Sequence, residues 1–237
     1  MKTDMLRAYI NLVLEKARAP EHVEGEGLAC TTFIPVPGIM TVILYDPNGV
    51  YNTIVDKVNT QIAAGRPVQI RSLVLGIGRA KASFATKHIY AGITIEQLSR
   101  CNKAWQIGLV YAKQGWGPLI YDIAMSKVQE GLIPSRSSIS DAAHKIWNYY
   151  MLQRDDVTKV PIPDSCKRYK REDQKAFNLI YKSTRQPPDL RGAEARHTEL
   201  VKRIVSLNEL SDGKRRLTPR DVEEALSTTF RGSFHYR

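Results

Sequence analysis

The sequence predicts an α/β (α+β) chain: a mixed central sheet flanked by helices, followed by a basic helical extension. Three observations carry that expectation. Short β-type runs alternate with apolar stripes at helical spacing through the first two thirds of the chain. One such run, Trp105–Ala112, ends in glycines that open straight into a helical stripe. Beyond Cys166 the chain becomes rich in lysine and arginine.

The elements follow in order. Asp4–Arg18 reads as an amphipathic helix, with Leu6, Tyr9, Ile10, Val13 and Leu14 on one face and Pro20 ending it. Thr31–Val36 and Met40–Tyr45 are β-rich and joined through Pro37-Gly38, which predicts a hairpin. Asp46-Pro47-Asn48-Gly49 is a turn signal, and Val50–Ala64 a helix closed by Gly65-Arg66-Pro67. Val68–Leu75 is expected to be a strand buried on both faces. Within the ambiguous stretch Ala82–Gln97 a strand is expected at His88–Ile93.

After Trp105–Ala112 comes the loop Lys113–Pro118 and then a helix over Leu119–Glu130. Pro118 stands where a missing N–H costs nothing, and Gly131 is the expected stop. Leu132–Pro134 reads as a short strand, and Ser140 as the cap of a helix over Asp141–Arg154. Val160–Asp164 reads as an extended connector. Helices are expected over Arg171–Lys182, over Ala193–Asn208, and from Thr218 through Leu226 with Pro219 at the first position. The organisation is thus an α/β domain over 1–165 and a basic helical extension over 166–237.

At 237 residues, 43% hydrophobic and 25% charged, the chain can bury a core without staples, and wholesale disorder and fibrous repeats are excluded. No apolar run reaches the roughly 18–20 residues of a spanning helix, so no membrane partner is expected. Cys30, Cys101 and Cys166 are far apart and the histidines lack metal-ligand spacing, which predicts no metal site. With no secretory signal in residues 1–20, the expectation is buried free thiols in an intracellular, cytoplasmic setting, or inside a viral particle.

The net charge is +11: residues 1–150 carry 16 Lys+Arg against 11 Asp+Glu, and residues 151–237 carry 19 against 13. A basic excess favours anionic partners such as nucleic acid, phosphorylated cofactors or acidic proteins. Lys167-Arg168-Tyr169-Lys170-Arg171 and Lys214-Arg215-Arg216 are the densest clusters, and they read equally well as phosphate contacts or as solvated helix ends.

The glycine junction is where chemistry can enter. A strand that ends in glycines and opens a helix presents backbone N–H groups at the positive end of the helix dipole, a phosphate site. The expected donors are Gly115, Trp116, Gly117 and Leu119. A nucleotide P-loop is excluded by the missing lysine and hydroxyl after the last glycine. The plainer alternative is that Gly115 and Gly117 only make a tight turn.

Gln114-Gly115-Trp116-Gly117-Pro118-Leu119, set between its strand and helix, resembles the Q/R-x-x-G-x-G/A loop of the GNAT superfamily of N-acetyltransferases. The resemblance spans about Ala104 to Arg154, and Pro118 or Leu119 replaces the final small residue of the pattern. It implies a GNAT-like sheet that binds acetyl-CoA. Gln114, Gly115, Trp116 and Gly117 would cradle the pyrophosphate, and Val110 and Ala112 would pair with the pantetheine arm. A coenzyme A thioester and an amine acceptor would be the partners. A tyrosine on the helix after the next strand, Tyr150 or Tyr149, would protonate the leaving thiolate. No carboxylate on the central strand offers itself as base, which leaves Glu96 or Asp122 through water. The alternative function is a non-enzymatic assembly protein, such as a viral particle component, associated with nucleic acid or protein through its basic C-terminal segment.

Overall fold

The computed structural model describes residues 26–79, 87–137, 139–169, 172–183, 190–207 and 217–234. The helix expected at Asp4–Arg18 and the cluster Lys214-Arg215-Arg216 lie outside them. Among the described residues the chain forms β1 (Ala29–Val36), β2 (Ile39–Tyr45), α1 (Pro47–Ala63), α2 (Ile70–Arg79), β3 (Ile89–Gln97), β4 (Trp105–Ala112) and α3 (Gly117–Lys127). These are followed by β5 (Leu132–Ile133), α4 (Asp141–Gln153), β6 (Val157–Pro161), β7 (Leu179–Ser183), α5 (Leu190–Leu207) and α6 (Pro219–Phe234).

The strands make one mixed seven-stranded sheet in the order β1-β2-β3-β4-β5-β7-β6. β3/β4, β5/β7 and β6/β7 are antiparallel, and β4/β5 is parallel. The chain divides into two compact units. One holds Thr32–Val42 and Ala91–Leu190; the other holds the segment ending at Thr31, Ile43–Tyr90 and the chain from Arg191 on.

The hairpin β1–β2, the strand β4 and the Ser140-capped α4 form where the sequence places them; Ser140 Oγ accepts the Ala143 N–H at 3.3 Å. Several expectations are corrected. Val68–Leu75 is not a strand: Ile70, Leu73 and Val74 are buried at spacings of three and one while Gln69, Arg71 and Ser72 face solvent, the signature of helix α2. Asp46–Gly49 is not a free turn. Asp46 is the N-cap of α1, its carboxylate accepting the Gly49 N–H at 2.9 Å, with Pro47 in the first turn. The strand expected at His88–Ile93 runs on to Gln97, and the helix α3 stops at Lys127, ahead of Gly131.

The largest correction concerns the C-terminal third. The connector expected at Val160–Asp164 begins inside an edge strand, Val157–Pro161, where a proline is tolerated, and ends in the 3-10 turn Asp164–Cys166. The helix expected at Arg171–Lys182 is a 3-10 segment, Glu172–Asn178, followed by β7, which sits between β5 and β6 in the sheet. Interleaved lysines disguised a β-type Leu-Ile-Tyr run. The chain therefore does not divide at 165/166, and the helical part of the basic region begins at Leu190.

In the unit built on β4 to β7, the β3–β4 turn places Asn102 and Lys103 at φ 56° and 57°, closed by the Ala104 N–H on Cys101 O at 3.0 Å. Two successive left-handed residues match the twist of a hairpin. Cys101 is joined to Cys166 by a disulfide with a Cα–Cα distance of 5.3 Å, which corrects the expectation of free thiols at these two positions. Cys30 is a buried thiol. A cross-link over a sequence separation of 65 stabilises by about 4 kcal/mol in the chain-entropy account. Ala104, Ile133, Ile162 and Ile180 bury it.

Gly131 brings β5 into the sheet. Its φ is +92°, its carbonyl accepts the Trp105 N–H at 2.9 Å, and a Cβ there would lie 2.6 Å from Ile180 Cγ2 and 2.9 Å from Tyr181 O. Gly131→Ala should destabilise the fold by about 2–4 kcal/mol, combining left-handed strain with a backbone clash, as read by urea denaturation.

In the other unit, α2 packs against α6. The buried Thr229 hydroxyl donates to Val74 O at 2.7 Å, and Val222, Ala225 and Leu226 supply the apolar face. Asp221 and Thr218 cap α6 reciprocally. Gly49 is required under the α1 cap, because a Cβ would lie 2.3 Å from both the Asp46 carboxylate and the buried His88 ring. His197 of α5 is buried between Tyr45 Oη, 2.6 Å from Nδ1, and Thr31 Oγ1, 3.2 Å from Nε2. A neutral ring satisfies both, one nitrogen donating and the other accepting.

Burial lowers the His197 pKa to about 4. The unfolded chain, with an ordinary histidine, takes up the proton first as pH falls. The contribution is therefore complete above about pH 6.5 and is lost towards pH 4, an amount of about 3 kcal/mol. Urea denaturation from pH 7 to pH 4 should show this slope in the native chain and not in His197→Gln.

Candidate functional site

β4 lies in the middle of the sheet, yet only its first half is covered. Trp105 and Ile107 are buried, whereas Gly108 is exposed and Leu109 is 38% exposed. Three local features cause this. The pairing with β3 slips from Ile95↔Ile107 to Thr94↔Leu109, so Gly108 is the extra residue of a bulge, which bends the strand beyond it. The parallel ladder with β5 consists of Trp105↔Leu132 and Gln106↔Ile133, after which Pro134 has no N–H to continue it. The chain beyond is then held in its new direction. The Arg136 N–H donates to Gln106 Oε1 at 3.2 Å, and the Arg136 guanidinium donates through Nε to Pro134 O at 3.1 Å and through Nη2 to Phe177 O.

Arg136 is buried, and Tyr169 covers its guanidinium at 5.0 Å from the ring centroid. Burial, with Arg168 and Arg100 adding to it against Tyr169, lowers the Arg136 pKa to about 10, so the group remains charged at neutral pH. Arg168 Nη1 donates to Arg136 O, and the Tyr169 hydroxyl donates to Ser135 O at 2.8 Å. Within the cluster Lys167–Arg171, then, Tyr169 acts as a structural clamp on the Arg136 segment.

β4 runs on past this divergence into the glycine loop. Lys113 O accepts the Trp116 N–H at 3.0 Å, and Gly115 takes φ +88°, a conformation that favours glycine. Trp116 is the N-cap of α3, without a side-chain cap bond, and Gly117 opens the helix. The first-turn N–H groups of Gly117 and Leu119 have no acceptor within the helix, while Pro118 has none to offer. Trp116 is corrected in one respect, since its N–H is committed to Lys113 O; its side chain, 2% exposed, anchors the loop. Val110, Ala112 and Gly115 are half-buried and Gln114 is exposed. A Cβ at Gly117 would make an ordinary contact of 3.4 Å with Ile146 Cδ1.

The tyrosines of α4 separate in role. Tyr150 is fully buried, and its hydroxyl donates to Pro118 O at 3.0 Å and Asp122 Oδ1 at 2.8 Å. It ties α4 to the first turn of α3, within a buried aromatic cluster of Tyr121, Trp147 and Tyr181. As a proton donor to a thiolate it is corrected: no surface is left to meet one. Burial raises the Asp122 pKa, opposed by the Arg154 charge and by hydrogen bonds from Arg154 and Tyr150. Arg154 holds both Asp122 oxygens at 3.0 Å and Asp156 at 2.6 and 2.7 Å. Asp122 is therefore occupied and is not a base. Tyr149 is half-buried, its ring 5.9 Å from the Arg154 guanidinium, and burial raises its pKa, which keeps it protonated. Glu96 is exposed on β3, in register with Gln106 at the point of divergence.

Sequence reasoning missed Gly108, Gln106, Pro134 and Arg136. Pro134 was the readable signal, since a proline ends a ladder. The partners of Arg136 come from segments 30 and 41 residues away. Among the described residues no group of three or more His, Cys, Asp or Glu could hold a metal, and no helix is long and apolar enough to cross a membrane. Comparison with protein-family models, with curated proteins and with solved structures gave no match.

Tyr150→Phe should destabilise the chain by about 1–3 kcal/mol, the worth of a buried hydrogen bond to a charged group. Thermal unfolding with and without coenzyme A checks this, and an equal drop under both conditions marks a structural residue.

Proposed function

We propose that the opening along β4 binds a coenzyme A thioester, and that the chain is a GNAT-like N-acyltransferase acting on an amine. The observation that carries this reading is the divergence of two parallel strands beside a glycine-initiated, uncapped helix N-terminus. An arm bearing amides can pair with the edge of β4 at Val110 and Ala112 only where β5 does not. The ladder stops at Gln106↔Ile133, six residues short of Ala112. The pyrophosphate would then meet the N–H groups of Gly115, Gly117 and Leu119, with Lys113 and Gln114 beside them.

In such a transfer the amine attacks the thioester carbonyl, loses a proton and expels a thiolate that must gain one. Tyr149, protonated and partly accessible, is the tyrosine left for the second task, and Glu96, through water, the carboxylate left for the first. The hydroxyl of Tyr150 and the carboxylate of Asp122, bonded to each other and to Pro118 and Arg154, favour a second reading. In it the fold serves as a non-enzymatic assembly or nucleic-acid-associated scaffold, with the net charge of +11 as its support.

A thermal-shift titration separates the two. Acetyl-CoA and coenzyme A at about 100 times the Kd should stabilise the chain by about 2.7 kcal/mol. Gly117→Glu, which aims a carboxylate at the anion site, should abolish the shift. No shift at millimolar ligand, together with salt-sensitive retention on heparin, would favour the scaffold. Tyr149→Phe should lower kcat with little change in Tm.

A further inference from the structure

The opening along β4 is held by a strap; the Asn178 side chain donates to Tyr169 O within it, the Ile162 N–H donates to Asn178 O at its far end, and one covalent bond ties down its near end. From Cys166 the chain passes directly into Arg168 and Tyr169, which donate to Arg136 O and Ser135 O. It then reaches Phe177, whose carbonyl takes Arg136 Nη2. Three of the hydrogen bonds that fix the segment leaving β5 involve residues between Cys166 and β7, and a further one, from the Arg136 N–H to Gln106 Oε1, comes from β4 itself. The near end of this strap is fastened through Cys101 to the 3-10 turn Ser99–Cys101, just before β4. Ser165 Oγ also donates to Arg100 O at 3.4 Å, and the two cysteines pack with Ala104, Ile133, Ile162 and Ile180.

We infer that the Cys101–Cys166 pair is a redox latch that sets how firmly β5 is held away from β4, and hence how well the opening accepts its ligand. The inference rests on the reading of that opening as a coenzyme A site. A protein that uses a thioester works among low-molecular-weight thiols, where a dithiol is the default state and the disulfide an imposed one. Oxidation removes one proton and one electron from each thiol and forms the S–S bond. The two electrons and two protons reduce a small disulfide, such as glutathione disulfide, to two thiols. Reduction runs the same exchange backwards through a mixed disulfide. The exchange is assigned to Cys166, which is buried but flanked in the chain by the exposed Asp164, Ser165 and Lys167. Within two residues of the two cysteines, Arg100, Lys167 and Arg168 outnumber Asp164, which pairs with Lys167 at 2.6 Å, and this positive excess favours approach of an anionic thiol such as glutathione.

The test uses the full chain, oxidised with glutathione disulfide or reduced with tris(carboxyethyl)phosphine, with a thiol count confirming each state. Amide exchange at Ser135–Ser137 and Ile107–Ala112 should rise at least tenfold on reduction, and the Kd for coenzyme A should weaken at least fivefold. Cys166→Ser should behave as the reduced chain under both conditions. Exchange within twofold between the two states would overturn the latch, as would a bond that neither forms with glutathione disulfide nor yields to the phosphine in the folded chain. Should coenzyme A bind neither state, the reading of the opening fails, and the exchange data alone judge the latch.

Discussion

Everything that distinguishes this sheet depends on the parting of β4 from β5 after a single pair of rungs. A central strand normally has both edges paired and both faces covered, which leaves no backbone for a ligand. Here Gly108 bends β4, Pro134 withholds the next N–H from β5, and the buried Arg136 guanidinium holds the departing chain through two carbonyl oxygens. A buried cation is costly unless its donors are used, and the carbonyls of Pro134 and Phe177 and the face of Tyr169 meet that cost in part. The exposed Gly108 and Leu109 and the half-buried Val110–Ala112 are the consequence.

The helices complete the arrangement by fixing the loop that follows. Trp116, buried and bonded through its N–H to Lys113 O, sets the start of α3, and Tyr150 secures the first turn from below through Pro118 O. Asp122, Arg154 and Asp156 extend that tie from α3 to the far end of α4. The groups that most resembled catalytic machinery thus hold the helix N-terminus in place. Rigid positioning of backbone donors is what an anion site needs, because donors that are already aimed lose little freedom when the anion arrives.

The candidate site was legible in the sequence wherever its chemistry is local. A β-run ending in Gln114-Gly115-Trp116-Gly117-Pro118 can be read as strand, turn and helix start, because Gly115 supplies positive φ and Pro118 tolerates a first-turn position. Arg136 was illegible, since its role comes from Gln106, Phe177 and Tyr169, none of them its neighbour in the chain. Tyr150 misled for the same reason: its spacing marks a helix face, but only the packing of α3 against that face shows that its hydroxyl is spent.

The sequence by itself determined the hairpin, the glycine junction, the helix starts at Ser140 and Thr218 and the basic charge, because each rests on contacts within a few residues or on composition alone. Only the tertiary structure decided that the run from Ile70 is helical, that Leu179–Ser183 is a strand inside the sheet, and that Cys101 meets Cys166. In each case local preference was ambiguous, and burial against distant partners settled it. An apolar run belongs in a helix or a strand according to which surface stands ready to cover it.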